Sequence, residues 1–429
     1  MIETYKFRLY PTKDQKVLLA KHFGCVRFIY NWALRYSQEQ YKKDKKYLGW
    51  MSIASSVAFN KLKHDNDWLY EVNSQSLQNS IGHLGRAFQH FFNGTGGFPR
   101  FKRKHFDRDS FEVPAGLSID FKEKKIKIPK FTKSKKEGDN RLKFVLSRKV
   151  KHGKIGTATV SRNPAGQYYI SFIVKTDEAP KEPLGKDLIT KENSLGMDFG
   201  MKHFITFDDG TVVDNPEYFR KHLSKLAWEQ HKLSRKKRKS KNYERQRMKV
   251  ARVHQHIADQ RKDFLHKLTT SLVRDERYQC FCMENLNMKG MSKLWGKKIH
   301  DLSWYSFVQM LTYKSARAGK LVRMIGRFDP SSQICSCCGH RQPMPLSVRT
   351  YECPDCGMVM DRDQNAARNI RDFAVFREVR ENLKNTDGTS GINACGVGSS
   401  GCRVSRRDNE TADAEAGKSR GKSRNRNRL

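Results

Sequence analysis

The alternation of apolar and polar residues divides the first half of the chain into strands and helices. Residues 2–10 alternate with a period of two and end at Pro11, which predicts a short strand. Between residues 12 and 92 the apolar positions recur at helical spacing, which predicts a helical insertion. Residues 111–176 return to short alternating runs separated by turn residues, and this pattern predicts a small antiparallel barrel.

A predicted strand at residues 194–200 carries an aspartate between two glycines. Its two faces are Leu195, Met197 and Phe199 on one side and Gly196, Asp198 and Gly200 on the other. Glycine has no side chain, so we expect room for a ligand beside the carboxylate of Asp198.

The elements after this strand follow the order of an RNase H-like α/β fold. Residues 203–213 predict a hairpin, residues 223–272 a long basic helical region, and residues 278–286 a strand that carries Glu284. A helix and a strand over residues 304–325 come next, followed by a last helix. Carboxylates on distant parts of the chain would meet at the sheet of such a fold.

Two Cys-x-x-Cys pairs lie before the last helix. The four cysteines are Cys335, Cys338, Cys353 and Cys356, and fourteen residues separate the pairs. This spacing predicts one tetrahedral structural zinc ion. Each pair is followed by a glycine, whereas Cys337 is not and is interpreted as a bystander. A disulfide pair or unrelated buried cysteines are the alternatives, and the basic, signal-free context disfavours both.

Two aspartates lie at the start of the last helix. Asp363 opens an apolar face that continues through Ala366, Ala367, Ile370, Phe373 and Ala374. A carboxylate at the edge of a core needs a positive partner, and a metal ion fits that role. Asp361 shares the polar side with Asn365 and Arg368, so we interpret it as a helix cap.

Asp198, Glu284 and Asp363 together predict a catalytic metal site. Their all-oxygen ligand set suits magnesium, and two Mg²⁺ ions could activate water and stabilise the leaving oxygen of a phosphodiester. One acidic residue on a strand is more often a cap or an ion-pair partner. Three carboxylates in the matching elements predict a nuclease.

The charge of the chain predicts a polyanionic partner. Its 429 residues, enough for two or three domains, include 84 Lys and Arg against 45 Asp and Glu, a formal net charge of +39. Such an excess favours nucleic acid. An acidic membrane surface is the competing interpretation, but no apolar run is long enough to span a bilayer. Without a signal sequence at Met1, we expect a cytoplasmic, nucleoid-associated protein with no membrane partner.

Three segments are candidate nucleic-acid contacts. Gln75 and Gln78 lie three residues apart on a predicted helix and could read base edges, although a solvated helix face explains them equally well. Two basic runs could bind phosphates, with Phe98 and Phe101 available for stacking in the first; a solvated loop or arm is the alternative. These runs are Arg100, Lys102, Arg103 and Lys104, and Arg235, Lys236, Lys237 and Arg238.

The runs PSSQICSCCGH, CPDCG and DRDQNAARNI closely resemble the zinc-ribbon end of the TnpB (OrfB) proteins of insertion sequences, relatives of the type V CRISPR nucleases. The segments YKFRLYPTKDQ, GFPRFKRK, GMDFG and MENLN extend the resemblance over nearly the whole chain. In that family the ribbon interrupts a RuvC-like nuclease domain just before its last catalytic aspartate. The resemblance therefore assigns catalytic metal binding to the same three carboxylates.

The resemblance also implies a domain organisation. A β-barrel wedge domain is expected at residues 1–10 and 111–183, and a helical recognition domain at residues 11–110. A RuvC-like nuclease is expected at residues 184–331 and 358–382, with the zinc ribbon inserted at residues 332–357. Residues 383–429 form a basic tail with too few apolar residues for a core, which predicts disorder.

The activity implied by the resemblance is that of a transposon-encoded, RNA-guided DNA endonuclease. Its partners would be a guide RNA derived from the transposon end and double-stranded target DNA, cut beside a short target-adjacent motif. A guide-independent transposase or resolvase accessory protein is an alternative. An RNA-guided repressor is another, and it would be expected to lack one of the three carboxylates that this chain retains.

Overall fold

Strand β1 (Ile2–Tyr10) lies inside a seven-stranded antiparallel sheet, between two strands far away in sequence. The protein is described here by a computed structural model that covers residues 1–104, 107–131, 140–179, 181–287, 290–291, 293, 296, 301–345 and 347–386. The other strands of this sheet are β2 (Asp109–Val113), β3 (Ser118–Asp120), β4 (Lys125–Lys127), β5 (Leu142–Val145), β6 (Lys154–Arg162) and β7 (Tyr168–Lys175). The order is β2-β6-β7-β1-β5-β4-β3.

The predicted antiparallel strands are confirmed, whereas the predicted barrel is an open sheet in the part of the chain that the structure describes. The hydrogen-bonded order ends at β2 and β3, so these strands form the edges of an open sheet. At the β2 edge the Ser76 hydroxyl donates to the Glu112 carbonyl at 2.5 Å. Phe111 and Val113 of β2 are buried in the same core as the neighbouring helices, which cover this side of the sheet. Strand β2 also crosses the boundary expected at residue 111.

The helical insertion is confirmed. It consists of α1 (Lys13–Asp44), α2 (Trp50–Ala54), α3 (Val57–His64), a 3-10 helix (Asp67–Glu71) and α4 (Ser74–Phe92). Helix α1 begins with a capping box in which the Gln15 amide donates to the Thr12 hydroxyl and the Gln15 side chain accepts from the Thr12 amide. Apolar residues of these helices and of the seven-stranded sheet form one buried cluster.

The second sheet has five strands in the order β10-β9-β8-β11-β12. They are β8 (Ser194–Asp198), β9 (His203–Phe207), β10 (Val212–Asp214), β11 (Cys280–Glu284) and β12 (Leu321–Ile325). Strands β8, β11 and β12 pair in parallel, whereas β9 pairs antiparallel with both of its neighbours, β8 and β10. The predicted hairpin and the predicted strands on both sides of it are confirmed.

Helices cover both faces of the five-stranded sheet. They are α5 (Tyr218–Lys221), α6 (Leu223–Ser234), α7 (Lys241–Arg274), α8 (Trp304–Ala318) and α9 (Arg362–Thr386). Side chains alternate along a strand, so Phe281 and Met283 of β11 join the core under α7 and α8, while Cys280 and Cys282 join the core under α9. A strand buried on both sides explains why residues 280–283 are all apolar.

The basic helical region is interrupted, which the periodicity did not predict. Helices α6 and α7 pack together through Leu226, Val253 and Ile257. The run Arg235–Arg238 lies in the exposed turn between them, and the Ser240 hydroxyl caps α7 by accepting from the Tyr243 amide at 3.0 Å. Lys239 has a φ of 68°, the left-handed conformation that reverses the chain.

The segment between β12 and α9 contains a two-stranded sheet of β13 (Thr350–Glu352) and β14 (Val359–Asp361). Helix α9 continues to Thr386, beyond the expected start of the tail at residue 383. Residues 387–429, with Cys395 and Cys402, lie outside the described residues, so the predicted disorder is not tested. Among the described helices, none is long and apolar enough to cross a membrane.

Candidate active site and metal centre

Asp198 and Glu284 end neighbouring parallel strands. Met197 of β8 is paired with Met283 of β11, so the two carboxylate residues that follow them lie side by side at the same edge of the sheet. Burial raises the pKa of Asp198 well above its usual range, and the negative charges of Glu284 and Asp363 raise it further. Burial also raises the pKa of Glu284.

Asp363 joins this site from the first turn of α9. A Cβ atom placed on Gly200, two residues after Asp198, would lie 3.9 Å from Asp363 Oδ2. The same oxygen lies 3.9 Å from Nη1 of the exposed Arg349. The structure therefore brings together the three predicted carboxylates.

The glycines on either side of Asp198 do not leave ligand space as predicted. A Cβ atom on Gly196 would collide with the carbonyl oxygen of Ala367, and one on Gly200 would lie 2.9 Å from the His203 carbonyl oxygen. Gly196 thus allows α9 to approach the strand closely, and the predicted apolar face of Ala366, Ala367 and Ile370 is buried there. Close helix packing places Asp363 near Asp198.

The predicted roles of residues around Asp363 are partly confirmed. Asp361 is exposed, and its Oδ1 accepts from the amides of Asp363 at 2.8 Å and Gln364 at 3.2 Å, as expected of a cap. The assignment of Asn365 to the polar side is wrong. Asn365 is fully buried, because its side chain bonds the Ile334 carbonyl and the Ser336 amide. Helical periodicity cannot distinguish a solvated amide from one that binds a neighbouring segment.

An ion pair that the sequence did not reveal also holds α9. Arg371 Nη1 donates to Asp208 Oδ2 at 2.5 Å, and Arg368 Nε donates to the Asp208 carbonyl at 3.1 Å. Asp208 is only 6% exposed and lies in the turn between β9 and β10. The pair therefore joins the helix that carries Asp363 to the hairpin that follows Asp198.

The carboxylate site fits divalent cations. Its three side chains offer carboxylate oxygens, which magnesium prefers. The like charges that raise the pKa of Asp198 would be balanced by bound cations. Among the residues that the structure describes, these carboxylates are spaced more widely than a cluster with all ligand atoms within 4.8 Å of one another.

The four predicted cysteines do form such a cluster. The sulfur atoms of Cys335, Cys338, Cys353 and Cys356 all lie within 4.8 Å of one another. Cys337 is exposed and lies outside the cluster, as predicted. This arrangement can bind one metal ion with tetrahedral coordination.

Two equivalent turns build the cysteine cluster. The Gly339 amide donates to the Cys335 carbonyl and the Gly357 amide to the Cys353 carbonyl, both at 3.0 Å. These glycines have φ values of 81° and 69°, which explains why the sequence has glycine there. Burial raises the pKa of Cys353, but hydrogen bonds from the backbone at Cys356 and Asp355 outweigh it and lower that pKa, whereas hydrogen bonds with neighbouring thiols raise the pKa values of Cys338 and Cys356. A thiolate is the form that binds metal.

The candidate nucleic-acid contacts lie on exposed parts of the protein, with one exception. Gln75 and Gln78 are exposed in the first turns of α4, and Arg100, Arg103 and Lys104 are exposed in the loop after it. Lys102 is half-buried, with its Nζ 3.9 Å from the centre of the Tyr30 ring. Phe98 packs edge-on against Phe88 and Phe91, so its ring already has partners.

Sequence reasoning missed a cationic cleft between the seven-stranded sheet and α7. The cleft has a volume of about 1280 Å³, and nine cationic side chains line it against four carboxylates. The cations are Lys6, Arg8, Lys16, Arg108, Arg148, Arg162, Arg247, Arg252 and Lys262. The outward positions of β1 were the available signal: Lys6 and Arg8 alternate with buried Tyr5, Phe7 and Leu9.

Two of the cations in the cleft, Lys6 and Arg8, pack against the ring of Tyr169. Lys6 Nζ lies 4.4 Å from the centre of the Tyr169 ring and Arg8 Cζ lies 5.3 Å from it. Arg8 also donates to the Tyr169 hydroxyl at 3.3 Å. Burial and then the charges of Lys262 and Arg108 lower the pKa of Lys6. Like charges held this close favour a polyanionic ligand.

Three family models match parts of the chain. The OrfB model of the IS605 elements, described as "Probable transposase", matches residues 173–294. A model described as "Cas12f1-like, TNB domain" matches residues 304–370, which include the cysteine cluster. A model described as "Helix-turn-helix domain" matches residues 1–46, where the structure has β1 and the single long helix α1.

The chain is also similar to whole proteins. A Streptomyces pristinaespiralis protein provisionally named an RNA-guided DNA endonuclease is 34% identical over 370 residues, which cover 85% of this chain and 88% of the relative. InsQ of Escherichia coli K12, which carries the same provisional name, is 31% identical over 388 residues, 86% of this chain and 91% of the relative.

A solved structure of Cas12f1, in complex with sgRNA and target DNA, has a TM-score of 0.52 at 12% identity. The match covers 86% of this chain and 98% of that chain. At this identity the likeness concerns the fold alone. The sequence relatives, which align over most of their own length, carry the assignment: the chain belongs to the TnpB (OrfB) family.

Proposed function

We propose that this protein is a transposon-encoded, RNA-guided DNA endonuclease that cuts target DNA beside a short target-adjacent motif. The observation that carries the proposal is the meeting of Asp198, Glu284 and Asp363 at one edge of the five-stranded sheet. The strand order of that sheet, with β8 in the middle, supports an RNase H-like, RuvC-like nuclease. The provisional names of two relatives support RNA guidance.

The three carboxylates would act as magnesium ligands. Two Mg²⁺ ions bound there would supply an activated water molecule and stabilise the leaving oxygen of the phosphodiester. The contribution of the chain is to hold Asp198 and Glu284 on rigid parallel strands and to bring Asp363 to them on a helix packed against Gly196.

We assign the cysteine cluster to one structural zinc ion. Four thiol ligands leave no open coordination position, which is the property of a structural site. The ribbon would occupy residues 332–357, inside a nuclease domain at residues 184–331 and 358–382. A wedge domain at residues 1–10 and 111–183 and a recognition domain at residues 11–110 complete the proposed organisation, and both contribute to one core.

The guide RNA and the double-stranded target DNA would bind the cationic surfaces. The cleft lined by Lys6, Arg8 and the cations of α7 suits a sugar-phosphate backbone, with the Tyr169 ring ordering two of the cations. Gln75, Gln78, the loop at residues 100–104 and the turn at residues 235–238 are further proposed contacts. We propose the transposon end as the source of the guide, as in the resembled family.

A guide-independent transposase accessory protein is the second candidate. The description of the OrfB model as a transposase favours it. The endonuclease would require a guide RNA and the accessory protein would not, so one experiment can separate the two functions.

We expect cleavage to require the guide. Protein purified with its RNA should cut only matching DNA, whereas RNA-free protein should bind DNA weakly and lose that binding steeply as salt rises, because phosphate contacts release counterions. The measurement is cleavage of matched and mismatched duplexes with and without RNA, together with sequencing of the copurified RNA. Sequence-specific cutting by RNA-free protein would establish the transposase alternative.

We expect the cations of the cleft to contribute to RNA binding. Arg252 and Lys262 are exposed cations of α7 that line the cleft. Replacing both with glutamine should lower RNA affinity and flatten the slope of log affinity against log salt by about one unit per lost phosphate contact. The matched control replaces Lys241 and Lys249, which are exposed on the same helix but do not line the cleft. Equal slopes for the two double variants would contradict the assignment.

A further inference from the structure

Ser331 lies at the junction of the cysteine ribbon and the carboxylate site. It is 5% exposed, and its hydroxyl donates to Glu284 Oε1 at 2.5 Å. Its amide donates to the Asp329 carbonyl at 2.8 Å, so the backbone around it is also fixed. A hydroxyl has one proton to donate, and Ser331 uses it on this carboxylate.

Two buried amides of α9 fix the segment that carries Ser331. Asn369 is 3% exposed, and its Nδ2 donates to the carbonyls of Ser331 at 2.7 Å and Ile334 at 2.6 Å. Asn365 is fully buried and donates to the Ile334 carbonyl at 2.7 Å while accepting from the Ser336 amide at 2.9 Å. Both amides lie on the helix that Asp363 opens.

These contacts form a continuous chain of hydrogen bonds. Ile334 and Ser336 flank Cys335, the first cysteine of the ribbon. Asn369 joins the carbonyls of Ile334 and Ser331, and the Ser331 hydroxyl continues the chain to Glu284. Asn365 adds two further bonds between the same helix and the residues beside Cys335. The position of the first Cys-x-x-Cys pair therefore fixes Glu284 and the helix of Asp363 relative to each other.

We propose that Ser331 is a positioning residue for the divalent-cation site, held by Asn369, and that through them the ribbon sets the geometry of Glu284. The inference rests on the proposed function, because it takes Glu284 as a metal ligand. A hydrogen bond to one carboxylate oxygen restricts rotation of the group and would leave the other oxygen available to a divalent cation. Groups that hold a metal ligand in this way typically contribute about 10- to 100-fold to metal affinity.

The test compares Ser331→Ala with Ser332→Ala in the full-length protein. Ser332 is the adjacent residue, is not fully buried and has the same side chain, so the pair isolates the hydroxyl that contacts Glu284. We expect Ser331→Ala to weaken Mn²⁺ binding, measured by electron paramagnetic resonance, by about 10-fold or more, and Ser332→Ala to bind as the wild type does. Zinc content and guided DNA binding should be unchanged in both.

The cleavage rate supplies a second readout. In Ser331→Ala the Mg²⁺ concentration for half-maximal cleavage should rise, and high Mg²⁺ should restore much of the rate, which a loss of folding would not permit. Wild-type Mn²⁺ affinity in Ser331→Ala, or an equal loss in both serine variants, would overturn the inference. If Asp198→Ala still cut DNA, the proposed function itself would fail, so the two failures are distinguishable.

Discussion

Asp363→Ala should abolish cleavage of matched DNA while leaving RNA-guided DNA binding intact. The carboxylate lies at the first turn of α9, close to Gly200, and adds to the negative charge that raises the pKa of Asp198. Without it the proposed metal site would lose one of its three ligands. Target binding depends on base pairing and on cationic surfaces, which the substitution does not touch. Cleavage and binding should be measured on one target at saturating Mg²⁺.

Asp361→Ala is the matched control for this variant. Asp361 is the same residue type two positions earlier, but it is exposed and accepts from the amides of Asp363 and Gln364. Its loss should remove a helix cap, about 1 kcal/mol of stability, which an intact domain tolerates. Inactive Asp361→Ala with active Asp363→Ala would show that the wrong aspartate has been taken as the ligand.

Folding can be separated from catalysis in this pair. Three carboxylates held together without a cation repel one another, so removing the Asp363 charge should not lower the free energy of unfolding in the absence of divalent ions. Asp361→Ala should unfold at a slightly lower temperature than Asp363→Ala under those conditions. Asp363→Ala would then be more stable than Asp361→Ala and yet inactive. Misfolding cannot explain that result, because a misfolded variant would be the less stable of the two.

The sequence predicted the elements of the carboxylate site because each carries a strong local pattern. The strand of Asp198, the strand of Glu284 and the apolar face behind Asp363 depend on periodicities of two or about 3.6 residues, which are visible in one segment at a time. The cysteine cluster was predictable for a similar reason, since ligand spacing within each knuckle is local.

What the sequence did not reveal depends on contacts between distant segments. The side chain of Asn365 satisfies backbone groups of the ribbon, yet its spacing from Asp361 placed it on a solvated side. The strand pattern predicts ligand space at Gly196, and only the position of α9 shows that the glycine allows close approach of a helix. The cationic cleft requires β1 to face α7, residues more than two hundred positions apart. A pattern within one segment of the sequence gives no information about contacts between segments so far apart.

Cys353→Ser should release the zinc ion and inactivate the nuclease. Cys353 is buried in the ribbon, and its sulfur lies 3.5 Å from that of Cys338. A structural zinc ion in a small module contributes about 10 kcal/mol or more to its folding, and a serine hydroxyl does not replace a thiolate ligand. The ribbon has only a small apolar cluster of its own around Tyr351, too little to compensate for the loss.

The matched control is Cys337→Ser, a cysteine of the same ribbon that is exposed and outside the cluster. It should retain one zinc ion per chain by elemental analysis, unfold at the wild-type temperature and cut matched DNA normally. Cys353→Ser should lose zinc, unfold at a lower temperature and lose cleavage, because the knuckle at Cys335 anchors the segment that carries Ser331 and thereby Glu284. Full zinc content in Cys353→Ser, or zinc loss in Cys337→Ser, would contradict the ligand set.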